Sequence, residues 1–153
     1  MKFLAEADDA VGPARSAEGR FHYDGQKALY LSLTPEGTHI ASKRYFSPND
    51  SQRGIFSIDV TDARIVDLRD NSAARALGID TAHRACEWQD YRAQGERAPT
   101  WDISDGIRAI SLDGILYASR TDPSKTHLTL FRWNTPGTAQ VRHDGTVLPF
   151  LMG

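Results

Sequence analysis

The sequence has only one cysteine, Cys86, and its charges nearly balance, giving a formal net charge of −2. A single cysteine excludes an intramolecular disulfide and favours a reducing compartment. The near-neutral charge gives no electrostatic basis for nucleic-acid binding, which favours a basic patch. No apolar run approaches the length of a membrane span, and Glu6, Asp8 and Asp9 follow Met1 too soon for a signal peptide. We therefore expect a cytoplasmic protein without a nucleic-acid or membrane partner.

Several motifs of known chemistry are also missing. The sequence has no glycine-rich phosphate loop, no dinucleotide fingerprint, no paired cysteines and no Gly-x-Ser-x-Gly elbow. His83 and Glu87 are spaced as neighbours on a helix and could share a metal ion, but protein metal sites usually need roughly three or four ligands. A surface contact is the commoner outcome of this spacing, and Cys86 is expected to pack as a small apolar residue. We therefore predict no metal site.

The length of 153 residues, with 40% apolar and 25% charged residues, is that of one soluble globular domain. We expect a single domain over residues 1–153, with an irregular arm over residues 1–14. Periodicity and turn residues predict strands over 28–33, 54–60, 63–68, 114–118, 126–133, 138–142 and 146–150, and helices over 34–45, 71–78, 80–94 and 100–111. Thr61-Asp62 is expected to turn a hairpin between the second and third strands, and Asp144-Gly145 to form another turn. Because strands and helices do not alternate regularly, an α+β fold is favoured over a doubly wound sheet.

Two stretches far apart in the sequence carry polar side chains near strand ends. Ser119 and Arg120 follow the apolar strand 114–118, and Arg20 and Phe21 precede the strand that holds Tyr30. A hydroxyl, two guanidinium groups and a phenol suit an anionic ligand such as a dinucleotide, because arginine binds phosphate with a bidentate fork. Two plainer interpretations remain open: Arg20 forms a surface salt bridge, and Tyr30 is a core residue whose hydroxyl finds a partner.

Together these segments resemble the RES-domain family, which is named for its Arg, Glu and Ser signature. The resemblance implies an ADP-ribosyltransferase-like fold of the diphtheria-toxin kind, with a mixed sheet core and flanking helices. It also implies a toxin of a bacterial toxin–antitoxin module, paired with an Xre-like antitoxin. Such a toxin uses NAD+ as its substrate, either degrading it with water or phosphate or transferring ADP-ribose to a protein target. The matching stretches are Gly19-Arg20-Phe21 with Gly25, Ala28-Leu29-Tyr30-Leu31-Ser32, the segment 38–41, and the segment 113–120 followed by Leu130-Phe131.

The resemblance also implies roles for individual side chains. Arg20, Tyr30 and Ser119 take signature positions. Arg20 is expected to hold the pyrophosphate, Tyr30 to pack on nicotinamide or ribose, and Ser119 to hydrogen-bond the nicotinamide amide or the ribose. His39 and Ser42 are expected to line the acceptor side. The expected catalytic set is Arg20, Tyr30, His39 and Ser119, and the expected NAD+-binding set is Arg20, Phe21, Tyr30, Ser32, Ser42, Ser119 and Arg120.

One position departs from the family pattern. Ser42 falls where the family has a glutamate, at the end of the segment 38–42. Cleavage of the nicotinamide–ribose bond passes through an oxocarbenium-like state, as glycoside hydrolysis does, and losing electrostatic help of this kind typically costs about 10²–10³ in rate. Glu36 and His39 are the nearest candidates to compensate. The alternative function is therefore that of a catalytically inactive relative that binds a nucleotide or an antitoxin.

Overall fold

The computed structural model describes residues 2–5, 9–42, 53–82 and 85–149, and strands and helices occur there in mixed order. The strands are β1 (Lys2–Ala5), β2 (Leu29–Ser32), β3 (Arg53–Thr61), β4 (Ile65–Asp67), β5 (Gly114–Ala118), β6 (Thr126–Leu130) and β7 (Gln140–Pro149). The helices are α1 (Pro35–Ser42), α2 (Asn71–Ala76), α3 (Trp88–Ala93) and α4 (Thr100–Ala109). The predicted α+β class is confirmed. None of these described helices is long and apolar enough to cross a lipid bilayer.

The strands form two sheets. β1, β3 and β7 make a three-stranded antiparallel sheet, and the other sheet has the strand order β2-β6-β5-β4, with β4 parallel to β5. Two predictions are wrong here. Residues 2–5, expected in an irregular arm, form β1 and pair with β3. β3 and β4 do not form the expected hairpin, because the chain changes sheet near Asp62, whose φ of 57° lies in the left-handed region.

The four-stranded sheet packs on both of its faces. Side chains alternate between the faces along a strand, so Leu29 and Leu31 of β2 join Leu128 and Leu130 of β6 in a cluster that includes Val141 of the other sheet. On the opposite face a second cluster joins the sheet to α2 and α4. Its members include Val66, Ala74, Ile103, Ile107, Ile115 and Tyr117. This second face is the one that carries the candidate site.

α1 and α2 begin as predicted. The Thr34 hydroxyl oxygen accepts the backbone N–H of Gly37 (3.0 Å), and the Asp70 carboxylate accepts that of Ser72 (2.9 Å). Both are N-cap hydrogen bonds. α2 ends before Gly78, whose φ of 74° suits a helix C-terminus. The predicted end of α1 near residue 45 lies outside the described residues.

The helix predicted over residues 80–94 is wrong in its first half. Among the described residues of that stretch, helix is confined to α3. The Asp80 side chain accepts the N–H of Ala82 (2.9 Å), a local turn that competes with helix formation. The predicted stop at Gly95 is confirmed by its φ of 76°. His83, one half of the candidate metal pair, lies outside the described residues.

The two strands predicted near the C-terminal end are one strand, β7, so Asp144-Gly145 does not reverse the chain. The register between β3 and β7 shifts between Phe56 and Ile58, and Gly145 takes a φ of 93° opposite this shift. The Ser57 hydroxyl donates to the Asp144 carboxylate there (2.8 Å). The turn residues therefore form a β-bulge, which bends a strand without ending it. β6 is shorter than predicted and ends at residue 130.

Candidate functional site

Arg20 lies in a tight turn over residues 19–22, which we call the arginine turn. The turn is closed by a hydrogen bond from the Gly19 N–H to the His22 carbonyl oxygen (2.9 Å). A Cβ at position 19 would lie 2.7 Å from the Tyr30 hydroxyl and 2.5 Å from the His22 ring. Glycine is therefore required at position 19, because the backbone of the turn passes directly against the side chain from β2.

Tyr30 of β2 holds the arginine turn through its hydroxyl group. The hydroxyl oxygen accepts the Phe21 N–H (3.0 Å) and lies 2.7 Å from Nδ1 of His22. Burial raises the pKa of the Tyr30 hydroxyl above its usual value and lowers the pKa of His22. Both groups are therefore uncharged at neutral pH. The expected contact of Tyr30 with nicotinamide or ribose stays a prediction. Whether or not Tyr30 makes that contact, these hydrogen bonds give it the structural role of holding the turn.

α4 fixes the arginine turn from a second direction. The Trp101 indole N–H (2.8 Å), the Thr100 hydroxyl and the Arg108 guanidinium (3.1 Å) donate to the carbonyl oxygens of residues 19, 20 and 21, respectively. Three consecutive carbonyl groups are thus bound by side chains of one helix. Because the backbone is held on both sides, the Arg20 side chain starts from a fixed position.

The Arg20 guanidinium lies near two aromatic rings, 5.0 Å from the ring centre of Phe21 and 4.9 Å from that of Tyr117. A cation at such a distance is attracted to the π face of a ring. Burial lowers the pKa of Arg20, and the positive charge of Arg120 lowers it further, while Tyr117 acts in the opposite direction. Because arginine stays protonated in proteins, Arg20 and Arg120 are both charged, and the Glu87 carboxylate partly balances the charge of Arg120.

Beside Arg20, three neighbouring strands of the four-stranded sheet present a row of polar side chains. Ser32 of β2, His127 of β6 and Tyr117 of β5 are paired across the sheet in one row. Nδ1 of His127 lies 3.0 Å from the Ser32 hydroxyl oxygen, and its ring centre is 5.7 Å from that of Tyr117. The Tyr117 hydroxyl is in turn 2.8 Å from the Thr129 hydroxyl. The row is therefore a connected and nearly buried set of uncharged polar groups.

Ser119 and Arg120 follow β5 at the end of this row, as predicted. Ser119 is buried, and its hydroxyl oxygen accepts the Asp122 N–H (3.2 Å), which shapes the loop between β5 and β6. The Ser119 hydroxyl keeps its own hydrogen for donation. Arg120 forms an ion pair with Glu87, with 2.5 Å between Nη1 and Oε2. A carboxylate that sequence reasoning treated only as half of a metal pair thus lies at the edge of the site.

α1 brings His39 and Ser42 to the Ser32 end of β2. The helix packs closely against the strand, since a Cβ on Gly37 would overlap the Ser32 hydroxyl. His39 and Ser42 are half-buried, and Glu36 is exposed. Glycine is unfavourable inside a helix, but at position 37 it is what allows α1 to approach the sheet.

The structure brings most of the predicted residues to one end of the four-stranded sheet. Arg20 comes from the arginine turn, Ser32 from β2, and Ser119 with Arg120 from the end of β5. Phe21, predicted to bind NAD+, is instead fully buried in the apolar cluster that includes Tyr117. Tyr30 lies under the turn, and α1 with His39 and Ser42 flanks the Ser32 side.

Sequence reasoning missed His127 and Tyr117 as members of this group. In the sequence, a histidine at a strand start is more often solvated or packed than part of a site, and Tyr117 lies within the apolar strand 114–118. One feature of the sequence could have grouped these two residues. The short loop between 114–118 and 126–133 predicts that the two strands pair antiparallel, which places the start of the second strand beside the end of the first. The pairing of His127 with Ser32 of β2, however, depends on a contact between segments far apart in the sequence.

Comparison with known proteins places this geometry in a family. No curated protein matches the sequence. Among solved structures, the fold is similar to a chain in the crystal structure of the M. tuberculosis MbcT-MbcA toxin-antitoxin complex, with a TM-score of 0.63, 17% sequence identity, and coverage of 97% of this chain and 81% of that chain. At this identity the likeness concerns the fold. The RES domain family matches residues 2–152, almost the whole sequence, and the chain therefore belongs to the RES domain family.

Proposed function

We propose that this protein is the toxin of a bacterial toxin–antitoxin module and that it acts on NAD+. Membership of the RES domain family supports this, because RES-domain toxins in general use NAD+. The similarity in fold to a chain of a toxin–antitoxin complex supports the biological role. The reaction we propose is cleavage of the nicotinamide–ribose bond with transfer of ADP-ribose to a protein side chain, phosphate or water. Loss of NAD+ or modification of a target would then arrest growth.

The observation that carries the proposal is the position of Arg20. Its guanidinium is within 5.0 Å of two ring centres, next to the positive charge of Arg120 and beside buried uncharged groups. Arg20 would bind a pyrophosphate through charge-assisted hydrogen bonds, and Arg120, whose charge Glu87 partly balances, would contribute a second guanidinium group. The two rings beside Arg20, those of Phe21 and Tyr117, are buried in the core and help to hold the guanidinium in place.

The proposed reaction does not require the protein to protonate the leaving group. When the C1′–N bond of NAD+ breaks, its electron pair neutralises the pyridinium ring, so nicotinamide leaves without a general acid. The ribosyl group develops positive charge, which the acceptor then captures at C1′. In this proposal Arg20 holds the pyrophosphate and Ser119 donates its hydrogen to the carboxamide or the ribose. His39 and Ser42 lie on the side from which the acceptor attacks.

Ser42 makes the second candidate function worth testing. A serine hydroxyl hydrogen-bonds but carries no negative charge, so it stabilises the ribosyl cation less than a glutamate would. A relative that binds NAD+ or an antitoxin without turnover would keep the arginine turn and lose the carboxylate. Cells that express such a protein would grow normally.

The partners follow from the same proposal. We expect a cognate antitoxin of the Xre-like kind, a cytoplasmic location and, where ADP-ribose is transferred to protein, a cellular target. Neither a membrane nor a nucleic acid is required for the reaction.

Inducible expression of the chain in a bacterial host tests the function. We expect growth arrest within the first generations after induction, and no arrest with Arg20→Ala. Measuring NAD+ in the same cultures separates the reactions: a collapse of the pool indicates hydrolysis or phosphorolysis, and a steady pool with ADP-ribosylated protein indicates transfer. Normal growth, a steady NAD+ pool and no modified protein would favour the inactive relative.

A further inference from the structure

His127 is the buried titratable group of this region that the proposed mechanism does not use. It is 7% exposed, it is the second residue of β6, and it lies in the middle of the row formed with Ser32 and Tyr117. Histidine is seldom buried this deeply without a hydrogen-bond partner. The hydrogen bonds that His127 already makes therefore show which ring nitrogen is still available to a ligand.

The hydrogen bonds of Ser32 determine which nitrogen of His127 carries the hydrogen. The Thr126 carbonyl oxygen can only accept, so the Ser32 hydroxyl bonds it (3.3 Å) by donating its one hydrogen. With the hydrogen placed there, the Ser32 oxygen accepts from Nδ1 of His127, 3.0 Å away. In the neutral ring the other nitrogen, Nε2, is then an acceptor. Among the contacts of the described residues, no hydrogen bond is made by Nε2.

The surroundings keep the ring neutral. Burial, together with the positive charge of Arg20, lowers the pKa of His127 to about 4. The other groups against the ring are the uncharged Tyr117 and Ser32. A protonated ring would have no acceptor nitrogen, so the burial and the Arg20 charge together preserve Nε2 as an acceptor at neutral pH.

We propose that Nε2 of His127 binds a hydrogen-bond donor of the dinucleotide, so that His127 is a substrate-binding residue of the site beside Arg20. Two donors of NAD+ have the required chemistry, the carboxamide N–H of nicotinamide and the ribose O–H groups. The phosphates are acceptors and are matched instead by the arginines. This inference rests on the proposed function and adds a specificity residue to it.

Two substitutions separate the two nitrogens of the ring. In His127→Asn the side-chain amide can still donate to Ser32, but no atom reaches the position of Nε2. In His127→Gln the longer side chain can bring an amide oxygen to that position as an acceptor. Purified wild type and both variants are titrated with NAD+ by calorimetry, and thermal unfolding of each variant is measured alongside to confirm that it is folded.

We expect His127→Asn to bind NAD+ about tenfold more weakly than the wild type, the effect of one lost hydrogen bond, and His127→Gln to recover most of that loss. Equal binding by wild type and His127→Asn would overturn the proposal, and so would a folded His127→Gln variant that binds as weakly as His127→Asn. If wild type itself binds no NAD+, the proposed function fails, and the inference fails with it.

The analogue of NAD+ that carries a carboxylate in place of the carboxamide distinguishes the two donors. If Nε2 binds the carboxamide, wild type prefers NAD+ over this analogue, and the preference shrinks in His127→Asn. If Nε2 binds a ribose hydroxyl, His127→Asn weakens both ligands by the same factor. Either pattern supports the proposal and identifies the bound group.

Discussion

The Arg20 side chain owes its position to groups that do not touch its guanidinium. Tyr30 binds the backbone N–H of the following residue, and side chains of α4 bind the carbonyl oxygens of the turn. The phenol also keeps Nδ1 of His22 bonded in a buried place. Removing the Tyr30 hydroxyl would leave both polar groups without that partner, and buried polar groups that lose a partner cost about 1–3 kcal/mol each.

We predict that Tyr30→Phe lowers the free energy of unfolding by about 1–3 kcal/mol and weakens NAD+ binding, because the arginine turn loosens. Urea unfolding followed by tryptophan fluorescence measures the first effect, and calorimetry the second. Tyr91→Phe is the matched control, since the Tyr91 hydroxyl makes no hydrogen bond to the part of the chain that the structure describes. Unchanged stability in Tyr30→Phe would contradict the role assigned to the hydroxyl.

His127 gives the stability a defined pH dependence. Its pKa falls from 6.5 in the unfolded chain to about 4 in the fold, mainly through burial. Below about pH 6.5 the unfolded chain therefore binds the proton more readily than the folded chain, so the stabilisation is complete above that pH and is lost as the pH falls toward 4. We expect the urea midpoint to drop between about pH 7 and about pH 5, and to drop less in His127→Gln than in His143→Gln. Equal drops in the two variants would remove His127 as a source of the effect.

At the residue scale, the sequence could predict candidate side chains but not their partners. Arg20, Ser119 and Arg120 are candidates because charge and position relative to a strand are visible in the sequence, and their roles stay predictions. The bond from the Phe21 N–H to Tyr30 is not visible, because nothing in the pattern shows that the turn folds back onto β2. The same holds for Glu87, whose partner Arg120 is distant in sequence.

At the scale of elements, α1 can pack closely against β2 because position 37 is a glycine and has no side chain. A Cβ there would overlap the Ser32 hydroxyl and approach the Thr34 hydroxyl to 3.2 Å. Since Ser32 bonds His127, pushing α1 away would also disturb the row beside Arg20. The contact therefore links the position of a helix to the geometry of the site.

We predict that Gly37→Ala lowers the free energy of unfolding by about 1–3 kcal/mol, the usual cost of overpacking, and reduces NAD+ binding. Gly106→Ala in α4 is the matched helical control. There the added Cβ meets only the terminal methyl of Ile79, at 2.9 Å, which can move, so the gain of up to about 1 kcal/mol in helix propensity can offset the contact. Thermal unfolding of both variants checks this, and a Gly37→Ala protein as stable as the control would show that α1 can shift freely.

Two of the elements that were predicted wrongly have different physical causes. Local patterns gave β2, β5, α2 and α4 correctly, because each has an apolar face and a clear start or stop. The hairpin of residues 54–68 failed because β4 pairs with β5, a strand almost fifty positions later in the sequence, in preference to its neighbour β3. β7 was split in two because a bulge uses the same Asp-Gly residues as a turn.

At the scale of the whole molecule, the two sheets pack against each other through an apolar layer. The opposite face of the four-stranded sheet, which packs against α2 and α4, carries the candidate site. The α+β class could be predicted from the order of elements, and the resemblance gave the family, which the match over residues 2–152 confirms. The site itself needed the fold, because its residues come from the arginine turn, β2, β5 and β6. Its proposed ligand accounts for two arginines close together beside buried aromatic and uncharged groups.

Release of nicotinamide from NAD+ by the purified protein tests this account most directly. We expect wild type to release nicotinamide, Arg20→Ala to lose at least about 99% of the rate, as removal of a key electrostatic group typically does, and the exposed control Arg142→Ala to match wild type. Assays with buffer, phosphate and a cell extract cover the three acceptors. An Arg20→Ala protein that releases nicotinamide as fast as wild type, or a folded wild type that releases none under any of these conditions, would contradict the central claim.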